Sequence, residues 1–406
     1  MRCLLLVLIL FTIQPPVSGQ FRLGEIRKSE SFGFKMVKNL VIIPVIINNK
    51  GPFNFVLDTG VGIFLITDPH LKDSLGLSEF RNITISGFGE RADLKAYVSF
   101  PLSLKIGNHI KGYLPAAFLE EDAFNLSAYT GIPVHGLLGY EFFSSFVVKL
   151  NYSSRNIKVY KPETIYIPKR GSRFDISIEE GKPYIEAKVM IDSGSMQQVK
   201  LIIDSGAGHP ISLETLAGQP FHVPDKKIEA NLGVGLMGEI SGFLARISLL
   251  RIGKFDLKNV LAAFPDYNNV AAKINSISRN GNLGSSVLKR FNVVFDYSRE
   301  HIYLKPNYFY KEPFEHDMSG LELSARGENL DRIFIARVET GSAAEDAGLM
   351  ESDEILAVNF KPVKEMGMDE VYGIFRSGRE RPVLLNILPA GKSQAELVVL
   401  ELKRRI

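Results

Sequence analysis

Two short segments of this 406-residue chain place an acidic residue, a small hydroxyl residue and a glycine directly after an apolar run. The two triplets are Asp58-Thr59-Gly60 and Asp204-Ser205-Gly206. An unpaired buried carboxylate is costly to desolvate, whereas two carboxylates that meet can share one proton. Such a pair offers an acid and a base at the same pH and can activate a water molecule. We therefore interpret Asp58 and Asp204 as a candidate catalytic pair. The hydroxyl residues can donate hydrogen bonds and the glycines permit close approach of the backbone, so Thr59, Gly60, Ser205 and Gly206 are candidate supporting residues.

A third triplet, Asp192-Ser193-Gly194, shows that the motif alone is weak, because such tripeptides are also common in turns. An internal duplication shows which two of the three triplets correspond to each other. Asp58 and Asp204 lie 146 positions apart (204 − 58), and several downstream segments repeat at the same spacing or one residue less. The repeated pairs are Leu104–Gly107 with Leu250–Gly253, Ala116–Phe118 with Ala262–Phe264, and Gly136–Gly139 with Gly281–Gly284. In this alignment Asp192 falls in a turn, and two copies predict two lobes whose twofold relation brings Asp58 and Asp204 together.

Taken as a set, these motifs resemble the pepsin and retropepsin type of aspartic protease over about residues 35–307. The resemblance implies a mainly β, two-lobed, pseudo-twofold acid-protease β-barrel fold, with an N-terminal lobe at 35–162 and a C-terminal lobe at 163–307. It also implies that a later strand of each lobe threads through the catalytic loop. The threading residues would be Leu138, Gly139, Leu283 and Gly284. Asn282 departs from the two apolar residues that the family has before this glycine.

Two glycine-rich segments are interpreted as flap hairpins that would cover a bound substrate. Their tips contain Gly87, Phe88 and Gly89 in the first half and Leu236, Met237 and Gly238 in the second. Neither tip has the tyrosine of the pepsin branch, and ordinary hairpin loops remain the alternative. Val61 and Ala207 follow the two triplets where pepsin-like members have a hydroxyl donor, which predicts activity in weak acid toward neutrality.

The C-terminal part has a different pattern. After a predicted linker at 308–318, residues 319–406 resemble a small α+β PDZ domain of the bacterial, circularly permuted type. The resemblance implies that one loop binds the carboxylate of a peptide C-terminus through backbone N–H groups. That loop would contain Gly320, Leu321, Glu322 and Leu323. The alternative is a PDZ domain that packs on the protease and binds no ligand.

Composition limits the remaining possibilities. Hydrophobic residues make up 45% of the chain and the net charge is only +3, so a soluble globular protein is expected and nucleic-acid binding has no electrostatic support. Residues 1–19 have a basic start, a short apolar run and small residues before Gln20, which predicts a secretory signal and a periplasmic or secreted chain with no transmembrane segment after processing. The single cysteine, Cys3, lies inside this signal. No histidine pair has metal-ligand spacing, so we expect neither metal nor cofactor.

The sequence therefore predicts an aspartic endopeptidase that hydrolyses protein or peptide substrates through a water held by Asp58 and Asp204. The PDZ domain would recognise a peptide C-terminus or regulate the enzyme. The alternative is a catalytically inactive peptide-binding scaffold of the same fold.

Overall fold

The structure is a computed structural model that describes residues 20–85, 94–163, 171–192, 194–235, 238–266, 279–376 and 380–406. The described part is mainly β, which confirms the predicted fold class. The predicted signal at 1–19 lies outside the described residues. Among the residues that are described, no helix has the length and apolar character needed to cross a membrane.

The first half of the chain forms a curled sheet. Its strands are β1 (Gln20–Leu23), β3 (Lys35–Val37), β4 (Leu40–Ile47), β5 (Lys50–Leu57), β6 (Leu65–Ile66), β7 (Phe80–Ile85), β8 (Leu94–Ser99), β9 (Leu102–Ile106), β10 (Ile110–Leu114), β11 (Ala117–Leu119) and β12 (Gly136–Leu138). They hydrogen-bond in the order β1-β10-β9-β4-β5-β12-β6-β11-β8-β7, with β3 beside β4. Buried and exposed residues alternate along β9 and β10, so one face of these strands covers the core. The helices of this half are α1 (Leu71–Leu75), α2 (Leu126–Thr130) and α3 (Tyr140–Ser145).

The second half repeats this arrangement. Its strands are β16 (Ser177–Glu179), β17 (Lys182–Met190), β18 (Gln197–Asp204), β19 (Ile211–Leu213), β22 (Lys227–Gly235), β23 (Gly238–Ile252), β24 (Phe255–Pro265) and β25 (Gly281–Gly284), with a two-stranded ribbon of β20 (Thr215–Leu216) and β21 (Gln219–Pro220) and the helix α4 (Ser285–Leu288). The order β17-β18-β25-β19-β24-β23-β22 matches β4-β5-β12-β6-β11-β8-β7 strand for strand. The duplication read from the sequence is therefore visible in the topology of the two sheets.

A third sheet joins the two halves. It contains β2 (Ser29–Gly33), β13 (Val147–Asn151), β14 (Asn156–Tyr160), β15 (Ser172–Asp175), β26 (Phe291–Asp296) and β27 (His301–Pro306), in the order β15-β27-β26-β13-β14-β2. At its centre β13 of the first half pairs with β26 of the second, and Val148 lies opposite Phe295. A short 3-10 helix, Tyr297–Arg299, follows β26. Because one ladder contains strands from both halves, neither half can separate without breaking it.

The C-terminal residues form a sheet and core of their own. The elements are β28 (Leu321–Arg326), β29 (Arg332–Val338), β30 (Glu354–Val358), β31 (Lys361–Pro362), β32 (Pro382–Leu388), β33 (Glu396–Glu401), α5 (Ala343–Asp346), α6 (Met368–Phe375) and the 3-10 helix Val363–Glu365. Ser342 caps α5 by accepting a hydrogen bond from the Glu345 amide at 3.2 Å.

The predicted linker at 308–318 is attached to the second half. It begins with a 3-10 helix, Tyr308–Lys311. The buried guanidinium of Arg290 lies 3.6 Å from the centroid of the Phe314 ring and donates to the carbonyls of Glu312 and Pro313 at 2.8 and 3.0 Å. These contacts anchor the segment that leads into the C-terminal domain to the second half of the chain.

The shared sheet leads to a prediction about stability. Phe295 is fully buried and its ring centroid lies 5.1 Å from that of Phe143 in α3. Phe295→Ala should lower the free energy of unfolding by about 3–5 kcal/mol, because it leaves a cavity between the halves. Phe100→Ala is the control, since Phe100 is 67% exposed. Urea unfolding measures both variants, and similar losses for the two would contradict the prediction.

Candidate active site

The two aspartates occupy equivalent places in the two sheets. Asp58 directly follows β5 and Asp204 ends β18. A later strand runs parallel to each: Leu138 of β12 lies opposite Leu57, and Gly284 of β25 lies opposite Asp204. Both β5 and β18 are interior strands of their sheets, and each places its aspartate at the C-terminal end of the strand.

Reciprocal hydrogen bonds lock the two loops together. The Thr59 amide donates to Ser205 Oγ at 3.0 Å, and the Ser205 amide donates to Thr59 Oγ1 at 2.9 Å. Each hydroxyl then donates across the pseudo-twofold axis, Thr59 to the Ile203 carbonyl at 2.6 Å and Ser205 to the Leu57 carbonyl at 2.8 Å. Both side chains are fully buried. Every polar atom of this small network therefore has a partner, and the network sets the separation of the aspartates.

The carboxyl groups of Asp58 and Asp204 meet beside the glycines of the two triplets. Asp58 Oδ1 accepts from the Gly60 amide at 2.7 Å, and Asp204 Oδ1 accepts from the Gly206 amide at 3.0 Å. A Cβ atom at Gly206 would lie 2.2 Å from Asp58 Oδ2, and one at Gly60 would lie 3.0 Å from the Asp204 carboxyl carbon. Only glycine permits this approach.

The pair is arranged to hold a proton. Burial raises the pKa of Asp58 well above its usual range, and the charge of Asp204 and a hydrogen bond to that carboxyl raise it further. The Gly60 amide acts in the opposite direction because it stabilises the ionised form. The pair therefore keeps a proton at a pH where an ordinary aspartate has ionised.

Asn282 supplies a donor that the sequence interpretation missed. Its Nδ2 atom donates to Asp204 Oδ2 at 3.0 Å. Val61 and Ala207 have no hydroxyl group that could donate to the aspartates. For Asp204, the Asn282 side-chain amide donates instead. The equivalent residue in the first half is Leu137, which has no polar side chain, so the site is asymmetric. The signal in the sequence was the departure at Asn282 itself, just before the glycine that threads the loop.

The strands that carry Gly139 and Gly284 pass against the catalytic loops. A Cβ atom at Gly139 would lie 2.2 Å from the Val61 carbonyl oxygen, and one at Gly284 would lie 2.0 Å from the His209 carbonyl oxygen. The His209 ring lies close enough to Asp204 to feel its charge, yet burial lowers the pKa of His209 overall. Its Nε2 atom is buried without a hydrogen-bond partner among the described residues. A neutral loop residue fits these observations better than an acid or base.

Asp192, the aspartate of the third triplet, lies in the connection between β17 and β18, and its side chain is 55% exposed beside His222. It therefore does not lie with the two aspartates of the candidate site.

The described residues contain no group of three or more His, Cys, Asp or Glu side chains that could hold a metal ion. A cavity of about 930 Å³ is lined by residues such as Asp192, Arg246 and Arg404, none of them in the aspartate loops. It is a cleft between the second half and the end of the chain, separate from the candidate site.

The predicted flaps coincide with hairpins. The β7–β8 hairpin pairs Ile85 with Leu94, and the β22–β23 hairpin pairs Gly235 with Gly238. Gly87, Phe88 and Gly89 of the first tip, and Leu236 and Met237 of the second, lie outside the described residues. A cavity of about 330 Å³ opens beside the second hairpin between residues such as Glu229, Phe243 and Phe221.

The predicted carboxylate-binding loop of the C-terminal domain is not open. The Gly320 amide donates to Asp317 Oδ1 at 3.0 Å, the Leu321 amide to Ser319 Oγ at 3.0 Å and the Leu323 amide to the Tyr372 hydroxyl at 2.9 Å. Glu322 lies 3.2 Å from the Arg337 guanidinium. Groups of the chain itself therefore accept from the N–H groups of Gly320, Leu321 and Leu323, and the role of this loop in peptide binding stays a prediction.

Comparisons with known proteins agree with this architecture. The family model of aspartyl proteases matches residues 43–142, which include the first triplet and its threading strand, and the model of PDZ domains matches residues 311–388. Among the curated proteins, none matches the chain. Among solved structures, a photosystem II D1 C-terminal processing protease is 22% identical over 21% of this chain, with a TM-score of 0.20. The chain spans only 22% of the length of that structure. This protein thus combines an aspartyl protease-like domain with a C-terminal PDZ domain.

Proposed function

We propose that the protein is an aspartic endopeptidase, with Asp58 and Asp204 as the catalytic residues. The observation that carries the proposal is the pair of carboxyl groups, each against the glycine of the other loop and held there by the Thr59–Ser205 network. Two carboxyl groups that share one proton can activate water and protonate a carbonyl oxygen in the same step.

The asymmetry of the site suggests a role for each carboxyl group. Asp204 accepts hydrogen bonds from the Gly206 amide and from Asn282, and both donors favour a carboxylate. Asp204 is therefore the base that takes the proton of the attacking water. Burial keeps the proton on Asp58, which donates it to the oxygen of the scissile carbonyl. When the tetrahedral intermediate collapses, the C–N bond breaks, Asp204 gives its proton to the departing amine nitrogen, and Asp58 takes a proton back from a hydroxyl of the intermediate as the new carboxyl group forms. This cycle uses no metal or cofactor.

The substrates would be proteins or peptides, bound beside the two aspartates. The predicted signal at 1–19 supports export, so we place the enzyme in the periplasm or outside the cell. The competing proposal, an inactive scaffold, predicts normal folding without cleavage.

Substituting either aspartate tests the proposal directly. Asp58→Asn and Asp204→Asn should each lower the cleavage of a denatured protein mixture by at least about 100-fold, since each removes one member of an acid–base pair. Asp192→Asn is the matched control and should cleave like the wild type, because Asp192 lies in an exposed turn. Cleavage rates are measured with and without a transition-state-mimicking inhibitor of aspartic proteases. Full activity of the Asp204→Asn variant, or inactivity of the wild type at every pH from strong acid to neutral, would overturn the proposal.

The donor at Asn282 predicts a shift in the pH profile. Asn282→Leu should move the acidic limb of kcat/KM upward by about one pH unit, because a hydrogen bond to a charged acceptor is lost. The reciprocal variant Leu137→Asn, intended to place the same amide beside Asp58, should instead move the basic limb downward, because a donor to the ionised form lowers the pKa of the acid. Thermal unfolding checks that both variants fold. A profile that neither substitution moves would show that Asn282 acts on neither protonation step.

The buried carboxyl of Asp58 also predicts a stability effect. A group whose pKa is raised on folding contributes stability below its unfolded pKa, and this contribution is lost as pH rises through the folded value. Since burial raises the pKa of Asp58, Asp58→Asn should raise the Tm at neutral pH and change it little in strong acid. Calorimetry over this pH range measures the difference, and a lower Tm at neutral pH would contradict it.

A further inference from the structure

The tip of the β3–β4 hairpin is inserted between the protease part and the PDZ domain. Lys38 and Asn39 form a two-residue turn, with φ of 48° and 67°, a conformation that asparagine tolerates well. The Lys38 side chain is buried, with its Nζ 3.7 Å from the ring centroid of Tyr129 in α2 and 4.1 Å from that of Tyr372 in α6. The Lys38 amide donates to Asp369 Oδ1, also in α6, at 2.7 Å. The tip therefore joins the two domains through the Lys38 amine between two rings and through a charge-assisted hydrogen bond. Burial lowers the pKa of Lys38 to about 7.

Helix α2 follows the same interface. It packs along β28, and a Cβ atom at Gly131, the residue that ends α2, would lie 3.1 Å from Met368 Cβ and 3.8 Å from Ala325 Cβ. Met368 begins α6 and Ala325 belongs to β28, and these two elements are the walls between which a PDZ domain takes a peptide. In this protein a helix of the protease occupies that position.

The donors of the carboxylate loop are also satisfied internally. Asp317 Oδ1 accepts from the Ser319 hydroxyl and from the amides of Ser319 and Gly320, the latter two at 2.9 and 3.0 Å. This carboxylate makes the contacts that a peptide C-terminus would make. The Leu323 amide donates to the Tyr372 hydroxyl, whereas a peptide strand beside β28 would accept a hydrogen bond from this amide.

The occupant is rigidly held. Asn39 Nδ2 donates to the Gly208 carbonyl at 2.9 Å, in the loop that follows Asp204, so the hairpin tip is fixed on the protease side as well. The linker is anchored by Arg290, which keeps the PDZ domain close to α2 and raises the effective concentration of the two surfaces. A free peptide must compete with this intramolecular contact.

We propose that the PDZ groove is an intramolecular docking site for α2 and the Lys38–Asn39 tip, and that a peptide with a free C-terminal carboxylate binds only when this contact opens. The peptide carboxylate replaces Asp317 at the loop amides, and its strand replaces the Tyr372 hydroxyl along β28. The apparent affinity is then reduced by the fraction of open molecules. Nothing in this proposal depends on the catalytic activity.

The test uses the full chain and a pool of decapeptides with apolar, free C-terminal residues, with the same pool amidated at the C-terminus as a probe control. Lys38→Ala removes the side chain that lies between the two rings, and Asp369→Ala removes the carboxylate that accepts from the amide of residue 38. This double variant should bind the free peptides at least about tenfold more tightly than the wild type, and should ignore the amidated pool. The matched control is Lys361→Ala, which breaks the exposed Lys361–Glu370 ion pair of 2.7 Å on α6. Equal affinities for wild type and double variant, or no binding by the double variant, would overturn the proposal.

A crosslink provides an independent measurement. In a Cys3→Ser background the chain has no other cysteine, so Gly131→Cys with Met368→Cys can form only one disulfide. The two Cβ atoms need to move apart by only a few tenths of an ångström to reach disulfide geometry, so oxidation should give a locked protein that binds no peptide until it is reduced. Circular dichroism checks the fold of each variant. If the folded pair stays reduced under oxidising conditions, the docked contact does not exist in solution.

Discussion

Two carboxyl groups placed side by side in a largely buried site are the constraint around which the protease part is organised. Such groups would repel each other if both were ionised, and burial makes each charge more expensive. The structure meets this cost with amide donors from Gly60 and Gly206 and with a raised pKa that lets the pair keep one proton. The Thr59–Ser205 network also provides acceptors for the neighbouring backbone amides, so these buried groups are hydrogen-bonded.

Duplication explains how a chain builds such a site, since one loop that presents an aspartate becomes a pair when its copy is related by a twofold axis. The matching strand orders of the two sheets and the ladder between β13 and β26 keep that axis in place. The two copies nevertheless differ at one position next to the aspartates. Asn282 gives the carboxyl group of Asp204 a donor that Leu137 does not give Asp58, so the two sides of the site differ within a symmetric frame.

The PDZ domain is part of the same physical unit. Its linker is clamped by Arg290 and Phe314, and its groove is filled from the protease side. The Lys38–Asn39 tip touches the PDZ helix α6 at one end and the Gly208 loop near Asp204 at the other. A single hairpin turn therefore contacts both the groove helix and the loop that follows Asp204.

The sequence by itself determined the mainly β class, the duplication, the pairing of Asp58 with Asp204 in preference to Asp192, and the presence of a PDZ domain. These follow from local patterns: apolar runs, glycine positions and a constant spacing, all of which a chain displays before it folds. The sequence indicated Asn282 only as an irregularity, because a side-chain donor is recognisable as such only beside its acceptor. It left two alternatives for the PDZ domain, a groove that binds a peptide and a domain that packs on the protease. Only the tertiary structure shows that Asp317 and Tyr372 accept from the loop amides and that the Lys38 amide donates to Asp369, 331 positions away. Contacts between residues so far apart depend on how the domains pack, and no local pattern records that packing.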